Sequence, residues 1–504
     1  MNFFSRWWKQ TPSALVLAGL TFVAGCQTQS NDPVTTVELK SHSVTPALVK
    51  TLVPGVEVFS LVGSDDKLTE SPNFVFGGSA DGTGLLKNAD GTFTALVNHE
   101  DNFAVSRITF DKTFKPIKGE YVLSSTAGRW RLCSATLTSQ DVHGFSKYIT
   151  CGESNEESQT HVLDPLAPAN TSVIAEGFGK WSAENAVPLP AATYQGQMVV
   201  IIGDDDSNVY GGQLVSYIST PNDFQNGKLY VLARKDNNLR ERDMVVGQKY
   251  DVEFRQIENQ KTLTGRQINE RASALKSIPF GRVEDIDYRK GSAAAAREVF
   301  FNVTGQHNSG FNADNSRSKY GRTYRLTLDA SDPLKGSLEV ILDGDDRNGI
   351  AKEFQNPDNI CVTENYVYVQ EDPNNYVNNG DPAYTHESSI YQYNLATKEL
   401  KRIIEVDQRR TTADADLYNS AAATATGIAS YGAVNGKAGY GSWEFGAMVD
   451  ISSIIGIPNT FIIAVQPHTW RGTKYINVDG GTNPMVFNTQ DQASQLIIVK
   501  GLPR

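Results

Sequence analysis

Carboxylate and amide side chains follow short apolar runs at several separated places in the chain. These polar segments are Asn98–Asp101, Asp204–Asp206, Glu284–Asp287, Pro357–Asn359, Glu371–Asp372 and Gln466–His468. A single Asp pair is common in turns, since Asp and Asn favour turn conformations. Hard cations such as calcium take about six to eight oxygen ligands, mainly from carboxylates and carbonyls. The repetition of acidic strand ends therefore predicts a cation site built from segments that are distant in sequence.

The elements that must position these side chains are predicted to be strands. Apolar or alternating runs bounded by turn residues recur along the chain, whereas persistent helical periodicity is nearly absent. Among these runs are Val56–Val62, Phe93–Asn98, Met198–Gly203, Glu298–Thr304 and Thr460–Val465. Dipeptides such as Asp81–Gly82 and Asn226–Gly227 favour tight turns between strands. The pattern indicates an all-β fold.

A β-meander of this length needs a closed architecture, because an open sheet would leave long unpaired edges. A β-propeller, built from four-stranded blades around an axial channel, meets this need. At about 50 to 70 residues per blade, residues 52–504 would form one six-bladed propeller domain with long inserted loops. Loops from several blades converge on the axis, where we expect the acidic strand ends to meet. Two β-sandwich domains are the alternative, which the absence of a clear linker near the middle of the chain disfavours.

The first residues are typical of an exported lipoprotein. Arg6 and Lys9 precede the apolar stretch Ala14–Val23, and small residues then lead to Cys26. The pattern predicts a signal peptide over residues 1–25 and lipid attachment at Cys26. An ordinary cleaved signal, with Cys26 a chance neighbour of the cleavage site, is the alternative.

The segment after the signal, residues 26–51, is rich in Ser, Thr, Asn and Pro and is predicted to be a flexible tether. Two acyl chains on Cys26 would hold the protein durably on a membrane. Gln27 stands where an Asp often retains lipoproteins at the inner membrane, so we expect the outer membrane of a bacterial cell envelope.

The overall charge argues against a nucleic-acid partner. The chain has 57 acidic and 46 basic residues, with a formal net charge of -11. No cluster of Lys and Arg is interleaved with aromatic residues, as nucleic-acid binding would need. We expect a monomer that binds a small-molecule substrate.

Cys133 and Cys151 lie on two predicted strands around a turn at Ser139–Gly144. In that register the two side chains could face each other across a hairpin. A disulfide is one interpretation, because exported proteins meet an oxidising compartment. Ligation of a metal by a thiolate is the other interpretation, and both stay open at this point.

The order of these motifs resembles the PhoX family of exported, calcium-dependent alkaline phosphatases. The resemblance spans most of the mature chain, and each of its motifs is short. The matching segments are Asn98–Glu100, the hairpin from Cys133 to Glu153, Gly203–Asp205, Arg282–Asp285 and Pro357–Asn359. Among the departures, Val283 follows the arginine where the family usually has a proline.

The resemblance implies a six-bladed propeller whose axial site holds a pair of ferric ions with several calcium ions around them. It implies a thiolate ligand from Cys133, with Cys151 as the second choice, and it makes Arg282 the residue that holds the phosphate. It also points to carboxylate ligands, for which we select Glu100, Asp204, Asp205, Glu284, Asp358 and Glu371. The implied cofactors are calcium and iron, and the implied reaction is hydrolysis of phosphoric monoesters.

In such a site a metal-bound oxide or hydroxide would attack phosphorus, so no protein nucleophile is needed. The chain accordingly lacks the Gly-x-Ser-x-Gly nucleophile elbow. Arg282 could instead be a structural partner of Asp285 or Asp287. Two other functions keep the propeller and calcium. One is hydrolysis of carboxylic esters or lactones, and the other is non-catalytic binding at the cell surface.

Overall fold

The computed structural model describes residues 36–372, 386–420, 441–484 and 490–504. Two strands come first along the chain, β1 (Val49–Thr51) and β2 (Glu57–Gly63). Together with β2, the later strands form five antiparallel sheets, one of which has nine strands. Dividing the nine-stranded sheet where β15 pairs with β19 gives six units, which we call blades 1 to 6. Blades 3 and 5 each carry a fifth strand.

Apart from β1 and β2, the strands of each blade follow one another along the chain from the innermost strand outwards. Blade 1 contains β3 (Ala80–Lys87), β4 (Phe93–His99), β5 (Ala104–Phe110) and β6 (Pro116–Leu123). Blade 2 contains β7 (Leu132–Leu137), β8 (Tyr148–Gly152), β9 (His161–Leu163) and β10 (Val173–Ile174). Blade 3 contains β11 (Ala183–Pro188), β12 (Met198–Asp204), β13 (Leu214–Ser219), β14 (Lys228–Arg234) and the added strand β15 (Lys249–Ile257). Blade 4 contains β16 (Val283–Tyr288), β17 (Glu298–Val303), β18 (Arg322–Leu328) and β19 (Lys335–Asp343). Blade 5 contains β20 (Pro357–Val362), β21 (Tyr366–Glu371), β22 (Ser389–Asn394), β23 (Leu400–Val406) and the added strand β1. Blade 6 contains β24 (Glu444–Asp450), β25 (Thr460–Gln466), β26 (Gln495–Lys500) and β2.

Helices play a minor part in the described residues. The α-helices are α1 (Ser125–Gly128), α2 (Gln140–His143), α3 (Gly265–Ala274), α4 (Ala415–Tyr418) and α5 (Ser452–Ile455). None of the described helices has the length and apolar character needed to cross a membrane.

The hydrophobic core lies between the blades. Among the described residues, each pair of neighbouring blades encloses one cluster of buried apolar side chains. The sequence of strand β12 is almost continuously apolar, and its packing explains why. Val200 and Ile202 pack towards blade 2, whereas Val199 and Ile201 pack towards blade 4. Successive side chains of a strand point to opposite faces, and here both faces are buried.

The inner strands close a ring around the axis. Strands β3, β7, β11, β16, β20 and β24 each contact the next, and β24 contacts β3. Strand β2, from the N-terminal part of the chain, completes blade 6 by pairing with β26, with Glu57 opposite Lys500. This pairing joins the N-terminal and C-terminal parts of the propeller by hydrogen bonds, and it covers the edge of β26 that would otherwise be unpaired. The prediction of an all-β propeller is confirmed.

The predicted tether is wrong for residues 37–51. Leu48 is completely buried, and β1 pairs with blade 5 with Val49 opposite Val406. Val37 and Leu39 pack against the core between blades 6 and 1. The polar composition of this segment concealed a few apolar residues at the positions that meet the core. Cys26 and residues 1–25 lie outside the described residues.

Candidate metal centre

In each blade the inner strand and the second strand are antiparallel. The inner strand therefore begins on the same side of the propeller on which the second strand stops. The first residues of the inner strands and the last residues of the second strands therefore meet at one mouth of the axial channel. Close to this mouth, the register of every inner strand shifts, as in a β-bulge. A bulge bends its strand and re-aims a side chain. In five blades the first residue inside the shift is Asp81, Cys133, Glu184, Glu284 or Asp358.

Side chains from all six blades form a connected set that we call the acidic ring. Its members are Asp81, Glu100, Cys133, Glu153, Glu184, Glu284, Asp358, Asp372 and Glu444. They fall into four groups of three, and within each group the ligand atoms lie within 4.8 Å of one another. Successive groups share Cys133, Glu184 and Asp358. The ends of the series also interact, because Glu100 affects the pKa of Glu444 electrostatically. The series thus includes side chains from all six blades, and the inner strands of blades 6 and 1, which carry its two ends, contact each other.

Asp81 connects three blades through its two carboxylate oxygens. The thiol of Cys133 donates to Asp81 Oδ2 over 3.1 Å, and the side-chain amide of Asn359 donates to Asp81 Oδ1 over 3.2 Å. The sequence assigned Asp81 and Gly82 to a turn, but both lie within β3. That prediction is wrong because Asp and Gly also suit the bulge that this strand forms.

Burial raises the pKa of most acidic groups in the ring, and neighbouring carboxylates raise it further. This holds for Asp81, Glu153, Glu184, Glu284, Asp358 and Glu444. Burial also raises the pKa of Glu100, against a lowering by Arg131. The thiol of Cys133 has a raised pKa, first because of burial and then because of Glu100. These groups cannot all ionise together unless positive charge is supplied.

The donors fit a set of bound cations. Glu184 Oε1 and Asp358 Oδ1 are buried and accept no hydrogen bond within the described residues. A buried polar atom without a partner is costly in a folded protein. Carboxylate oxygens suit calcium, and a thiolate among them suits a softer metal such as iron. The ring can therefore hold several cations that share ligands.

Arg282 stands beside the ring in a fixed orientation. Its Nε and Nη2 donate to the two oxygens of Asp205 over 2.7 and 3.0 Å, and Nη2 lies 3.1 Å from Glu284 Oε1. Its φ angle is 72°, a left-handed conformation that costs about 1–3 kcal/mol for a residue with a side chain. Among the described residues its partners are Asp205 and Glu284, and it pairs with neither Asp285 nor Asp287. Strain of this kind is typical of functional sites.

The structure brings together four of the eight predicted ligands, namely Glu100, Cys133, Glu284 and Asp358. Asp205 reaches the ring through Arg282. Asp204 is completely buried, and its carboxylate oxygens accept no hydrogen bond within the described residues, but it is in none of the four groups.

Glu371 and Cys151 point away from the axis. Glu371 accepts hydrogen bonds from the main-chain N–H groups of Gln355 and Ser389, at 2.9 and 3.0 Å, and its other contact is His386 at 2.9 Å. The next residue, Asp372, is in the ring instead, since alternate residues of a strand face opposite sides. Cys151 lies in the core between blades 2 and 3.

Cys133 and Cys151 are free thiols in the structure. The predicted facing arrangement fails because the register of the hairpin shifts between Leu132 and Ala135. The shift turns Cys133 towards the axis while Cys151 keeps its place in the core, where the hydroxyl of Thr160 lies 3.4 Å from its sulfur. The interpretation as a disulfide is therefore wrong, and Cys133 alone is available to a metal.

Sequence reasoning did not select five members of the ring: Asp81, Glu153, Glu184, Asp372 and Glu444. The prediction rested on polar residues that follow apolar strands. In this propeller each inner strand begins at the mouth of the axial channel. An acidic residue just before an apolar run therefore indicates a position at the mouth as well as one just after such a run does. Glu184 and Glu444 are such residues, since each stands at the start of an inner strand.

Comparisons with known proteins support the fold. No protein-family model and no curated protein sequence matches this chain. Solved structures that match include PhoX from Pseudomonas fluorescens in complex with vanadate, a transition-state analogue, with 14% identity and a TM-score of 0.60. That match covers 92% of this chain and 98% of the PhoX chain. Another is an α-L-arabinofuranosidase from Fusarium graminearum, with 10% identity and a TM-score of 0.38, covering 87% of this chain and 97% of the other. At these identities the similarity to PhoX concerns the propeller fold alone.

Proposed function

We propose that this protein is a metal-dependent hydrolase of phosphoric monoesters, with its active site at the acidic ring. The observation that carries the proposal is the ring itself, in which eight carboxyl groups and one thiol from six blades surround the axis beside an ion-paired arginine. Carboxylates this close repel one another, so the fully ionised ring requires bound cations. Several cations in one buried site suit a substrate with concentrated negative charge, such as a phosphate ester.

The proposed cofactors are calcium, for the carboxylate oxygens, and iron, for the groups that include Cys133. Bound cations would activate water as the nucleophile and neutralise the charge that grows on the phosphoryl oxygens. Arg282 would hold the phosphate. Its Nη1 donates no hydrogen bond within the described residues, whereas Asp205 engages Nε and Nη2 and thereby fixes the orientation of the group. The binding of vanadate by the structurally similar PhoX supports this class of substrate.

Ester or lactone hydrolysis is the alternative within the same fold. That reaction needs a cation that polarises a carbonyl, and no thiolate beside it. The sulfur of Cys133 lies 3.1 Å from Asp81 Oδ2, inside the ring. A thiol in this position favours the phosphoric ester hydrolase.

The test combines metal analysis with activity. Purified protein is analysed for calcium and iron and is assayed with p-nitrophenyl phosphate, p-nitrophenyl acetate and a lactone, before and after chelation. We expect bound metal and a phosphatase activity that chelation abolishes. We expect Glu284→Gln to reduce that activity at least about tenfold, and Glu176→Gln, an exposed change outside the ring, to leave it unchanged. Protein that binds neither metal and hydrolyses no phosphate ester would refute the proposal.

We also propose that the mature protein is a monomer of the bacterial outer membrane, anchored by lipid on Cys26. The support is the signal-peptide pattern that ends at this cysteine. In cells, Cys26→Ala should move the protein from the membrane fraction to the soluble fraction. Equal membrane association of the variant would contradict the lipid anchor.

A further inference from the structure

A second arginine, Arg131, stands at the mouth two residues before Cys133. Its backbone is held on both sides, because its N–H donates to Ser154 Oγ and its carbonyl oxygen accepts from the N–H of Glu153, each over 2.8 Å. Its side chain is 47% exposed, compared with 22% for Arg282. Arg131 is therefore a positioned residue whose side chain reaches the solvent at the edge of the acidic ring.

The hydrogen-bond donors of the Arg131 guanidinium group are not used by any described residue. Its Nη1 lies 3.7 Å from Glu100 Oε2, which is an ion pair but is too long for a hydrogen bond. Within the described residues this side chain donates no hydrogen bond. Arg282, by contrast, donates from two nitrogens to Asp205. A planar guanidinium with unused donors is well suited to bind phosphate oxygens in pairs.

The two arginines pair with members of two different groups of the ring. Arg131 pairs with Glu100, which shares a group with Cys133. Arg282 pairs with Glu284, which shares a group with Glu184, and also with Asp205 of blade 3. Both arginines act electrostatically on the carboxylate of Glu153, Arg131 more strongly than Arg282. Cys133, Glu153 and Glu184 form the group that joins those two groups, so an anion above it would be attracted by both guanidinium groups.

We propose that Arg131 binds the phosphoryl group of the substrate and, with Arg282, selects doubly charged phosphate monoesters over singly charged diesters. This inference rests on the proposed function. A monoester presents a second negative charge and one more unsubstituted oxygen to the two guanidinium groups. A diester lacks both features, so it would gain less from the second arginine.

The experiment compares Arg131→Ala with the wild-type protein and with Arg129→Ala. Arg129 is exposed and two residues away, and alanine in its place removes the same charge. We expect Arg131→Ala to raise KM for p-nitrophenyl phosphate at least about tenfold while kcat changes less than about threefold. KM for bis(p-nitrophenyl) phosphate should change much less, and Arg131→Lys should recover part of the loss. Metal content should be unchanged, which separates substrate binding from support of Glu100.

Calorimetry with inorganic phosphate provides a readout that does not depend on turnover. On protein loaded with calcium and iron, Arg131→Ala should weaken phosphate binding by the same factor as it raises KM. An active wild type with unchanged phosphate binding in Arg131→Ala would overturn the role of Arg131 and leave the proposed function intact. An equal effect of Arg129→Ala would also overturn it. A wild type that hydrolyses no phosphate ester would overturn the proposed function, and with it this role.

Discussion

Replacing Glu184 by glutamine should change stability in opposite directions with and without metal. Glu184 is 2% exposed, belongs to two groups of the acidic ring and has a carboxylate oxygen that accepts no hydrogen bond within the described residues. Without cations its charge is only repelled by its neighbours. With cations the same carboxylate becomes a shared ligand. Glutamine keeps the shape and removes the charge, so it separates these two effects.

The magnitude follows from the spacing. Two carboxylates 4.8 Å apart, the outer limit within a group, repel by about 3.5 kcal/mol at an effective dielectric constant of about 20. Raised pKa values leave part of the ring protonated, so we expect Glu184→Gln to stabilise the metal-free protein by about 2 kcal/mol. For a domain of this size the unfolding entropy is about 1 kcal/mol per degree, and Tm should rise by about 2 °C. Calcium affinity should fall at least about tenfold, because a charged ligand is lost.

The assay is thermal unfolding of wild type and Glu184→Gln, in chelator and in calcium, with calcium titration by calorimetry. Glu176→Gln, which removes an exposed carboxylate, serves as the matched control and should behave as wild type. If Glu184→Gln lowers Tm in chelator, the argument from repulsion is refuted. If calcium stabilises the variant as much as the wild type, Glu184 is not a ligand.

Three further predictions concern the same region. Burial raises the pKa of the ring carboxyls, and that of Asp285 to about 6, so the folded protein binds more protons than the unfolded chain. The metal-free protein should therefore lose stability as pH rises from about 4 through 6. Denaturation in chelator at several pH values would detect this loss. Cys133→Ser should lower the iron content. Cys151→Ser should leave the iron content unchanged and cost about 1–2 kcal/mol of stability. Equal loss of metal in both variants would contradict the assignment of Cys133 as the thiolate ligand. Gly446→Ala should disrupt the ring, because the added Cβ would lie 2.5 Å from the carbonyl oxygen of Ala80. In Gly472→Ala the added Cβ would lie 3.5 Å from its nearest neighbouring atom, so this variant should keep the metal binding and thermal unfolding of the wild type.

Periodicity and turn chemistry were sufficient to predict strands, because both act over a few neighbouring residues. The run Met198–Gly203 is apolar on both faces, as a strand between two blades requires. The tether was predicted too long because composition does not reveal that a few apolar residues, Leu48 among them, meet a core. The choice of Glu371 over Asp372 failed because a shift of one residue moves a side chain to the opposite face.

The sequence by itself determined the class of fold and the acidic character of the candidate site, since strand patterns and acidic strand ends are local properties of the chain. Only the tertiary structure decided which side chains meet. Asp81, Glu184 and Glu444 join the ring because their strands begin at the mouth of the channel, and Cys133 joins it because a bulge turns it there. Members of the ring lie hundreds of residues apart, and the closure of the blades around one axis is what brings their oxygens within 4.8 Å of one another in each group.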